Sequence, residues 1–215
     1  MNVRLPGHGY TNMKTQLSTL FGLVWSCGAV LAAPQTYDFK DPKGVNNVVF
    51  QLDAPLESIN GTANGISGEV TFDADNPAGI KGRILLSTAS LHVGNPVQKE
   101  HLHGENWMDV AKYPEIAFEA VKAENVKTSG HETTADLTGK LTIKGVTKIT
   151  TIPVRITYLK DRLKDRIPNK QGDLLVLRAK FSVKRSDFNI NPRNAEDKVS
   201  DEIQLSLSLA GMAPK

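Results

Sequence analysis

Residues 98 to 120, with the sequence QKEHLHGENWMDVAKYPEIAFEA, place two histidines and several acidic residues close together in the chain. Such side chains could bind a metal ion or carry out acid–base chemistry. A zinc site would have to recruit His101, His103 and either His92 or Glu100, because zinc needs several converging ligands. Two histidines separated by one residue stand about 200° apart on a helix, so the spacing is unfavourable. The HExxH and CxxC spacings are also absent from the sequence. We therefore predict no metal site.

Nucleophilic catalysis has no recognisable position in the sequence either. The single cysteine, Cys27, lies in the N-terminal segment, and the G-x-S-x-G pattern of a serine nucleophile is absent. Asp187, in the segment RSDF, could act as a general base, but nothing in its spacing supplies a partner group. We predict no catalytic residues and no cofactor.

The first 32 residues have the organisation of a secretory signal peptide. Arg4 and Lys14 precede the apolar run LSTLFGLVWSCGAVLA, and small residues follow it. Val30 and Ala32 suit the two key positions before a cleavage site. We therefore expect an exported protein whose mature chain begins at or near Ala33.

Two residues near this segment leave alternatives open. Met13 followed by Lys14 would begin a more compact signal, so translation starts at either Met1 or Met13. Cys27 could attach a lipid, but Trp25 is unfavourable before such a cysteine, and the apolar run continues beyond it. The run is also shorter than the roughly 20 residues of a membrane-spanning helix, which argues against a lasting anchor.

Removal of residues 1 to 32 changes the charge and the cysteine count. These residues carry two basic side chains and no acid, so the mature chain has 24 basic residues against 23 acidic ones. This balance gives no reason to expect nucleic-acid binding. The loss of Cys27 leaves no disulfide or thiol chemistry. Residues 33–215 are enough to bury a core as one domain.

A period of two dominates the mature sequence and predicts antiparallel strands with one buried face. The segment DLTGKLTIK, for example, alternates Leu137, Gly139, Leu141 and Ile143 with polar residues. The segments TIPVRITY and EIQLSLSLA alternate in the same way. Further strands are predicted at residues 47–53, 66–72, 83–90, 115–121 and 174–183.

One region, from about residue 96 to residue 111, has the pattern of a helix. Val97, Leu102 and Met108 could line one side of it, and Pro114 ends it before the next strand. Many strands with one short capping helix predict an all-β fold, an antiparallel β-barrel of about eight strands. A barrel of this size is either filled by its own side chains or holds one ligand, and the composition leaves both alternatives open.

Between two late strands lies a charged insert, LKDRLKDRIPNKQGD, at residues 159–173. Runs of mixed charge usually form solvated hairpin ends, and this is the interpretation that we favour. A surface for a protein partner or an anionic membrane is the alternative, although the mixed charge opposes strong membrane attraction.

Several segments resemble the signature elements of the YceI-like lipid-binding proteins. DLTGKLTIKGVTKITTIPV is similar to the family's G-x-L-T-I-x-G-V-T-K strand–turn–strand, and HL at 101–102 with YPEIAFEA at 113–120 is similar to H-L … Y-P-x-I-x-F-x-S. FSVKRSDFNI, ISGEVTFDADNP and VSDEIQLSLSLAG resemble further elements of the family. The chain departs from the pattern at His92, Ala120 and Asn189, and the segment GVNNVVFQLDAPLESINGTANG matches poorly.

The resemblance implies a lipocalin-like barrel over residues 33–215 whose apolar lumen holds a long isoprenoid, such as a polyprenyl compound or an isoprenoid quinone. It also implies an exported, periplasmic protein without catalytic activity, in which Asp187 is a structural acid near Arg185. For the stretch around His101 we expect a capping helix with His101 bonded to the backbone, or polar groups at the barrel mouth that face a ligand head group.

Alternation indicates which side chains face the lumen. We predict ligand-binding roles for eight apolar residues: Phe72, Phe118, Leu137, Leu141, Ile143, Phe181, Leu205 and Leu207. The expected partner is a long apolar lipid, while transient membrane contact and a homodimer stay open. The alternatives are an enzyme that modifies a lipid inside the barrel, and a stress or assembly factor with a filled barrel that acts through its surface.

Overall fold

The structure is a computed structural model, and it describes residues 1–3, 7, 33–192 and 198–215. Most of the predicted signal peptide, including Cys27, lies outside the described residues, so the signal peptide stays a prediction. Every strand and helix given below lies within the compact unit Leu31–Lys215. None of the helices in the described ranges is long and apolar enough to cross a bilayer.

Eleven strands and two short helices make up the described fold. The strands are β1 (Gln35–Asp38), β2 (Asn47–Asp53), β3 (Ser58–Ala63), β4 (Ile66–Phe72), β5 (Lys81–Ser87), β6 (His92–Val93), β7 (Glu115–Ser129), β8 (Glu132–Ile143), β9 (Val146–Leu159), β10 (Gly172–Lys184) and β11 (Glu202–Pro214). The helices are α1 (Pro96–His103) and α2 (Leu163–Arg166). Single turns of 3-10 helix occur at Pro77–Gly79, Thr88–Ser90 and Ser186–Phe188.

Eight of the strands close into an antiparallel barrel, which confirms the predicted fold class. They follow one another around the wall in the order β1, β4, β5, β7, β8, β9, β10 and β11, and β11 pairs again with β1. The strands β2, β3 and β6 extend from the other half of β11, because residues 204–208 pair with β2 while Met212 pairs with β1. One edge of β11 therefore carries two different partners.

The alternation places the predicted apolar faces inside the barrel. In β8, Leu137 and Leu141 are buried while Lys140 is exposed. The predicted bounds of β2 and β4 are confirmed, whereas β7 continues to Ser129 instead of ending at 121, with two register shifts. The sequence does not predict β1, β3 and β6, because these strands are very short or rich in polar and small residues.

Helix α1 is shorter than predicted, because it ends at His103 rather than near residue 111. The side chain of Asn95 caps its first turn by accepting from the backbone N–H groups of Val97 and Gln98, at 2.9 and 3.3 Å. Val97 is 59% exposed whereas Met108 is buried, so the prediction that Val97, Leu102 and Met108 line one side of the helix is wrong for Val97.

The side chain of Asn46 fills the gap between the two partners of β11. Its amide oxygen accepts from the backbone N–H of Ala210 at 2.8 Å, and its amide nitrogen donates to the carbonyls of Ala210 and Phe39 at 3.1 and 3.0 Å. Ala210 lies between Ser208, which pairs with β2, and Met212, which pairs with β1. Because buried backbone groups need partners, Asn46 completes the wall where no strand does.

The insert 159–173 joins the paired strands β9 and β10, and most of its charged side chains are exposed, as predicted for a hairpin end, but α2 within it also packs on the outer wall. Leu163 is 1% exposed and packs with Leu174. A guanidinium nitrogen of Arg166 lies 2.9 Å from the carboxylate of Asp41. The insert therefore covers and fastens the barrel wall near the point where β11 changes partners.

Replacing Asn46 by alanine should lower the free energy of unfolding by about 2–4 kcal/mol, because buried groups of Ala210 and Phe39 lose their partners. Urea or thermal unfolding of the purified variant measures this change. Asn47→Ala is the matched control, because the Asn47 side chain donates to the carbonyl of Val45 at the surface. Equal stability of the two variants would contradict the role given to Asn46.

Candidate functional site

The barrel encloses two cavities, which together are called the lumen below. The central cavity has a volume of about 140 Å³, and every side chain that lines it is aliphatic, aromatic or a thioether. The second cavity, of about 80 Å³, is lined mostly by apolar side chains from the wall. The residues that line both cavities are Ile84, Phe118, Leu207 and Leu209.

The structure divides the eight predicted lining residues into three groups. Six of them line the central cavity: Phe118, Leu141, Ile143, Phe181, Leu205 and Leu207. Leu137 lines the second cavity. Phe72 lines neither cavity but is buried in the packed core at 3% exposure, which corrects its assignment as a lining residue. The ligand-binding roles of all eight residues stay predictions.

Several lining residues are absent from the eight predicted from the sequence. Val48, Phe50 and Leu52 alternate along β2 and face the central cavity. Their alternation could have identified them, although the surrounding segment matches the family pattern poorly. Leu91 also lines this cavity, but it follows a 3-10 turn, where no periodic pattern marks the inward side.

The phenyl ring of Phe118 lines both cavities. It lies across Gly139 of the neighbouring strand β8, where an added Cβ atom would stand 2.6 Å from the ring and 2.4 Å from the carbonyl oxygen of Glu119. Glycine at 139 therefore permits the ring to lie against the wall. Phe118 therefore lies, with Ile84, Leu207 and Leu209, at the boundary between the two cavities.

One end of the lumen is closed by residues 96–113, which we call the cover. Leu102 and Trp107 extend from the cover onto the central cavity. The Nε2 atom of His103 lies 2.8 Å from the carbonyl oxygen of Leu91, and this contact holds the cover to the wall. The backbone bond that we predicted for His101 is thus made by His103 instead.

Beside the cover lies a polar pocket of about 410 Å³, which we call the vestibule. Its polar lining residues are Glu57, Gln98, His101, Asn191 and Lys198. The vestibule shares four lining residues with the central cavity: Phe50, Leu52, Leu102 and Trp107. It therefore adjoins the apolar space, and its charge is mixed, since it contains both an acid and a base.

Lys144, in the turn between β8 and β9, fastens the cover to the far side of the barrel mouth. Its ammonium group donates to the carbonyls of Glu105 and Asn106 at 2.9 and 3.2 Å, and to the carbonyl of Asn189 at 3.1 Å. Burial lowers the pKa of Lys144, and the carboxylates of Asp109 and Glu105 partly oppose this shift. One side chain thus joins two separate segments.

Arg185 organises the loop that follows β10. The side chain is 1% exposed, and its guanidinium group donates to four backbone carbonyls: those of Ile190, Asn191, Val199 and Ser200. The same group lies 5.7 Å from the ring centre of Trp107, which is a cation–π distance. The carboxylate of Asp187, by contrast, lies 3.5 Å from Lys148 at the surface, so its predicted role beside Arg185 is replaced by a surface ion pair.

Polar groups at the opposite end of the barrel bond to one another. The carboxylate of Asp173 accepts from the hydroxyl of Tyr158 at 3.1 Å and from the backbone N–H of Asp161 at 2.8 Å, and the ammonium group of Lys215 lies 3.1 Å away. Burial raises the pKa of Tyr158 to about 12, and the hydrogen bond to Asp173 adds to the shift. Burial alone would raise the pKa of Asp173, but its hydrogen bonds outweigh this and lower it. The polar groups at this end of the barrel therefore bond to one another, and we call it the sealed end.

No set of three or more histidine, cysteine, aspartate or glutamate side chains in the described ranges is arranged to hold a metal ion. His92 and His101 are exposed, and His103 bonds to Leu91. The expectation that the protein needs no metal stays a prediction.

Comparison with known proteins places this barrel among its relatives. The family model described as the YceI-like domain matches residues 41–210, which is most of the chain. The chain belongs to the YceI-like family. Protein YceI of Escherichia coli O157:H7 is 29% identical over 197 residues, which cover 92% of this chain and 96% of that protein. Protein YceI of Salmonella newport is 28% identical over the same length.

Solved structures share the YceI-like fold. BcnA of Burkholderia cenocepacia has a TM-score of 0.62 at 24% identity, and the match covers 77% of this chain and 95% of the BcnA chain. A polyisoprenoid-binding domain from Saccharophagus degradans has a TM-score of 0.59 at 12% identity, and the match covers 85% of this chain and 100% of the domain. At these identities the similarity concerns the fold, which it confirms as a YceI-like barrel.

Lys144→Met should loosen the cover of this YceI-like barrel, because three carbonyls lose their shared donor. Amide hydrogen exchange across residues 96–113 should accelerate by roughly three- to tenfold, as expected for a segment that opens locally. Mass spectrometry of the exchanged protein measures this effect. Lys140→Met, on the outer face of β8, is the matched control and should leave exchange unchanged. Unaltered protection of the cover in Lys144→Met would refute its role.

Proposed function

We propose that this YceI-like protein binds a long apolar chain, an isoprenoid or a similar lipid, in the barrel lumen. The observation that carries the proposal is the central cavity, because all of its lining side chains are apolar. Protein interiors rarely leave voids larger than a water molecule, whereas ligand sites are concave and mainly apolar. The polyisoprenoid-binding domain of S. degradans, which has the same fold, supports this ligand class.

The cavity volumes determine how a chain can enter. An apolar cavity of about 150 Å³ holds one benzene molecule, so the central cavity of about 140 Å³ accepts a fragment of similar size. About one five-carbon isoprene unit fits that space. A longer chain has to occupy both cavities, and it would pass Phe118, Ile84, Leu207 and Leu209, which line both.

Burial of the chain supplies the binding energy. Each buried CH₂ group contributes about 0.8 kcal/mol, so a five-carbon unit contributes on the order of 3 kcal/mol. Selectivity in an apolar lumen comes from chain width and length, because the central cavity offers no polar side chain to fix a ligand.

The proposed role is that of an exported, periplasmic carrier without catalytic activity. A long apolar chain does not remain dispersed in water, because its hydration is unfavourable, and it therefore needs a protein to carry it between membranes. The chain would enter beneath the cover. The cover closes one end of the lumen, and single polar contacts of His103 and Lys144 hold it to the rest of the barrel. Transient contact with a membrane would allow the chain to be exchanged there.

A lipid-modifying enzyme has less support in the described residues. Asp173 and Tyr158, at the sealed end, bond to each other and line neither cavity. The described lining of the central cavity contains no acid, base or nucleophile. A filled barrel that acts only through its surface is also disfavoured, because two apolar cavities are present.

Leu205→Trp should abolish retention of the lipid, because the indole ring fills the central cavity. Leu205 lies on the cavity between its cross-strand neighbours Phe50 and Phe181. Gln204→Trp adds the same ring to the outer face and is the matched control. Solvent extraction of natively purified protein, followed by mass spectrometry, should find a stoichiometric prenyl or acyl chain in the wild type and the control, and at least about tenfold less in Leu205→Trp.

Two results would overturn this function. One is repeated absence of lipid from folded wild-type protein that was purified without detergent. The other is equal retention of lipid by Leu205→Trp and Gln204→Trp, with both variants folded by circular dichroism.

A further inference from the structure

Two exposed aliphatic side chains lie beside the cover. Leu56 is 71% exposed and Val97 is 59% exposed. Each follows an exposed proline, Pro55 or Pro96, so the surface is apolar over two consecutive residues at both places. Single exposed aliphatic residues are common on protein surfaces, so their position in the fold decides whether they have a role.

Local hydrogen bonds fix the backbone at both places. Leu56 lies in the turn between β2 and β3, which is closed by a bond of 2.9 Å from the backbone N–H of Ala54 to the carbonyl oxygen of Glu57. Val97 lies in the first turn of α1, which the side chain of Asn95 caps. The fold therefore presents both aliphatic side chains to the solvent from well-defined turns.

Strand pairing brings these two turns to the same end of the barrel. β6 is antiparallel to β3, and it therefore runs towards the turn between β2 and β3. Helix α1 begins shortly after β6 ends. Glu57 and Gln98, which follow Leu56 and Val97 in the sequence, both line the vestibule. Leu56 and Val97 therefore flank the vestibule.

This position lies beside the proposed path of the apolar chain. The vestibule shares four lining residues with the central cavity, so the two spaces adjoin. Val97 belongs to the cover itself, and the cover has to move when a chain enters beneath it. An apolar chain avoids water at every step of its transfer if this end of the barrel touches the bilayer that supplies or receives it.

The charges around the two turns are mixed. The turn between β2 and β3 carries Asp53 and Glu57, α1 carries Lys99 and Glu100, and Lys198 lines the vestibule. Attraction to anionic lipids depends on clustered lysine and arginine residues, and the described residues of these two turns form no such cluster. The surface therefore fits a zwitterionic bilayer, to which it would be attracted by burial of apolar side chains at the level of the head groups.

A protein partner, including a second copy of this chain, fits the same surface less well. A stable interface needs roughly 800 Å² of contiguous surface on each partner, with an apolar centre. Here the polar vestibule separates the two apolar turns. Separate side chains can still enter a bilayer, because mobile lipids adapt to the surface that they meet.

We propose that Leu56 and Val97 insert into the surface of a zwitterionic phospholipid bilayer and hold the covered end of the barrel against it. The bilayer supplies or receives the apolar chain, which passes beneath the cover. This inference rests on the proposed function, because docking serves the exchange of a lipid. Two aliphatic side chains give only weak and reversible binding, which suits a carrier that has to leave the membrane again.

The test is the rate at which radiolabelled geranylgeraniol passes from loaded full-length protein to phosphatidylcholine vesicles. The wild-type rate should rise with vesicle concentration, because transfer occurs on contact. In Leu56→Asp/Val97→Asp the rate should fall at least about tenfold, since a carboxylate does not enter the apolar part of a bilayer. In Leu56→Trp/Val97→Trp it should rise about threefold, because tryptophan favours the membrane interface.

The matched control is Ile149→Asp/Val121→Asp. These aliphatic side chains are 68% and 61% exposed, and their replacement adds the same charge away from the vestibule. The transfer rate of this variant should stay within about twofold of the wild type, as expected for surface substitutions outside a contact. Calorimetry without vesicles should give the same affinity for geranylgeraniol in the wild type and in both aspartate variants.

The possible outcomes separate docking from chain binding. Equal transfer rates in the two aspartate variants, or a wild-type rate that is independent of vesicle concentration, overturn the docking surface and leave chain binding intact. Transfer that requires phosphatidylglycerol in the vesicles and is lost at high salt assigns the contact to basic side chains of the outer wall, such as Arg155 and Arg178, and also overturns the proposal. Failure of the wild type to bind geranylgeraniol contradicts the proposed function itself.

Discussion

The lumen of this barrel depends on phenyl rings that lie against glycines in the wall. An eight-stranded barrel encloses a space that ordinary side chains can just fill, so the placement of its largest residues decides whether space is left. Two rings that line the lumen lie over glycines in this way, Phe50 over Gly61 and Phe118 over Gly139, and Phe39 lies over Gly211 in the packed core. A Cβ atom at any of these glycines would collide with the ring. The rings can therefore occupy these positions only because the wall residues beneath them are glycines. The Phe118 pair matters most, since this ring lines both cavities.

The two ends of the barrel are held by different kinds of contact, and this difference indicates at which end a ligand would be exchanged. The sealed end is held by buried charges with several partners, such as Asp173 and the Arg166–Asp41 pair. The end beneath the cover is held mainly by single side chains that bond to backbone carbonyls, such as Lys144 and His103. Segments held by few contacts open at lower free energy than the core, so the covered end is the one suited to exchange of a ligand.

Periodicity in the sequence predicted the barrel and most of its inward residues. Strand β8 is the clearest case, because Leu137 and Leu141 alternate with polar residues and the two faces of a strand differ in burial. Periodicity failed where no alternation exists, as for Leu91, and at the end of β4, where Phe72 is buried in the packed core outside both cavities.

Contacts between distant segments could not be read from the sequence. Asn46 bonds to Ala210, and Lys144 bonds to Asn189, but neither pair leaves a local pattern in the chain. The choice between His101 and His103 depended on which one faced Leu91, and this follows from where α1 ends. The insert 159–173 looked solvated by its charge, yet one buried leucine within it, Leu163, decides its packing.

The central claim is that a single apolar chain occupies both cavities as one continuous space. The most direct test is to measure nuclear Overhauser effects between an unlabelled geranylgeraniol molecule and the methyl groups of protein labelled at leucine, isoleucine and valine. The account predicts contacts to Leu141 and Leu205 of the central cavity and to Leu137 of the second cavity in the same complex. Contacts confined to exposed methyl groups, such as those of Ile149 and Val121, would contradict it.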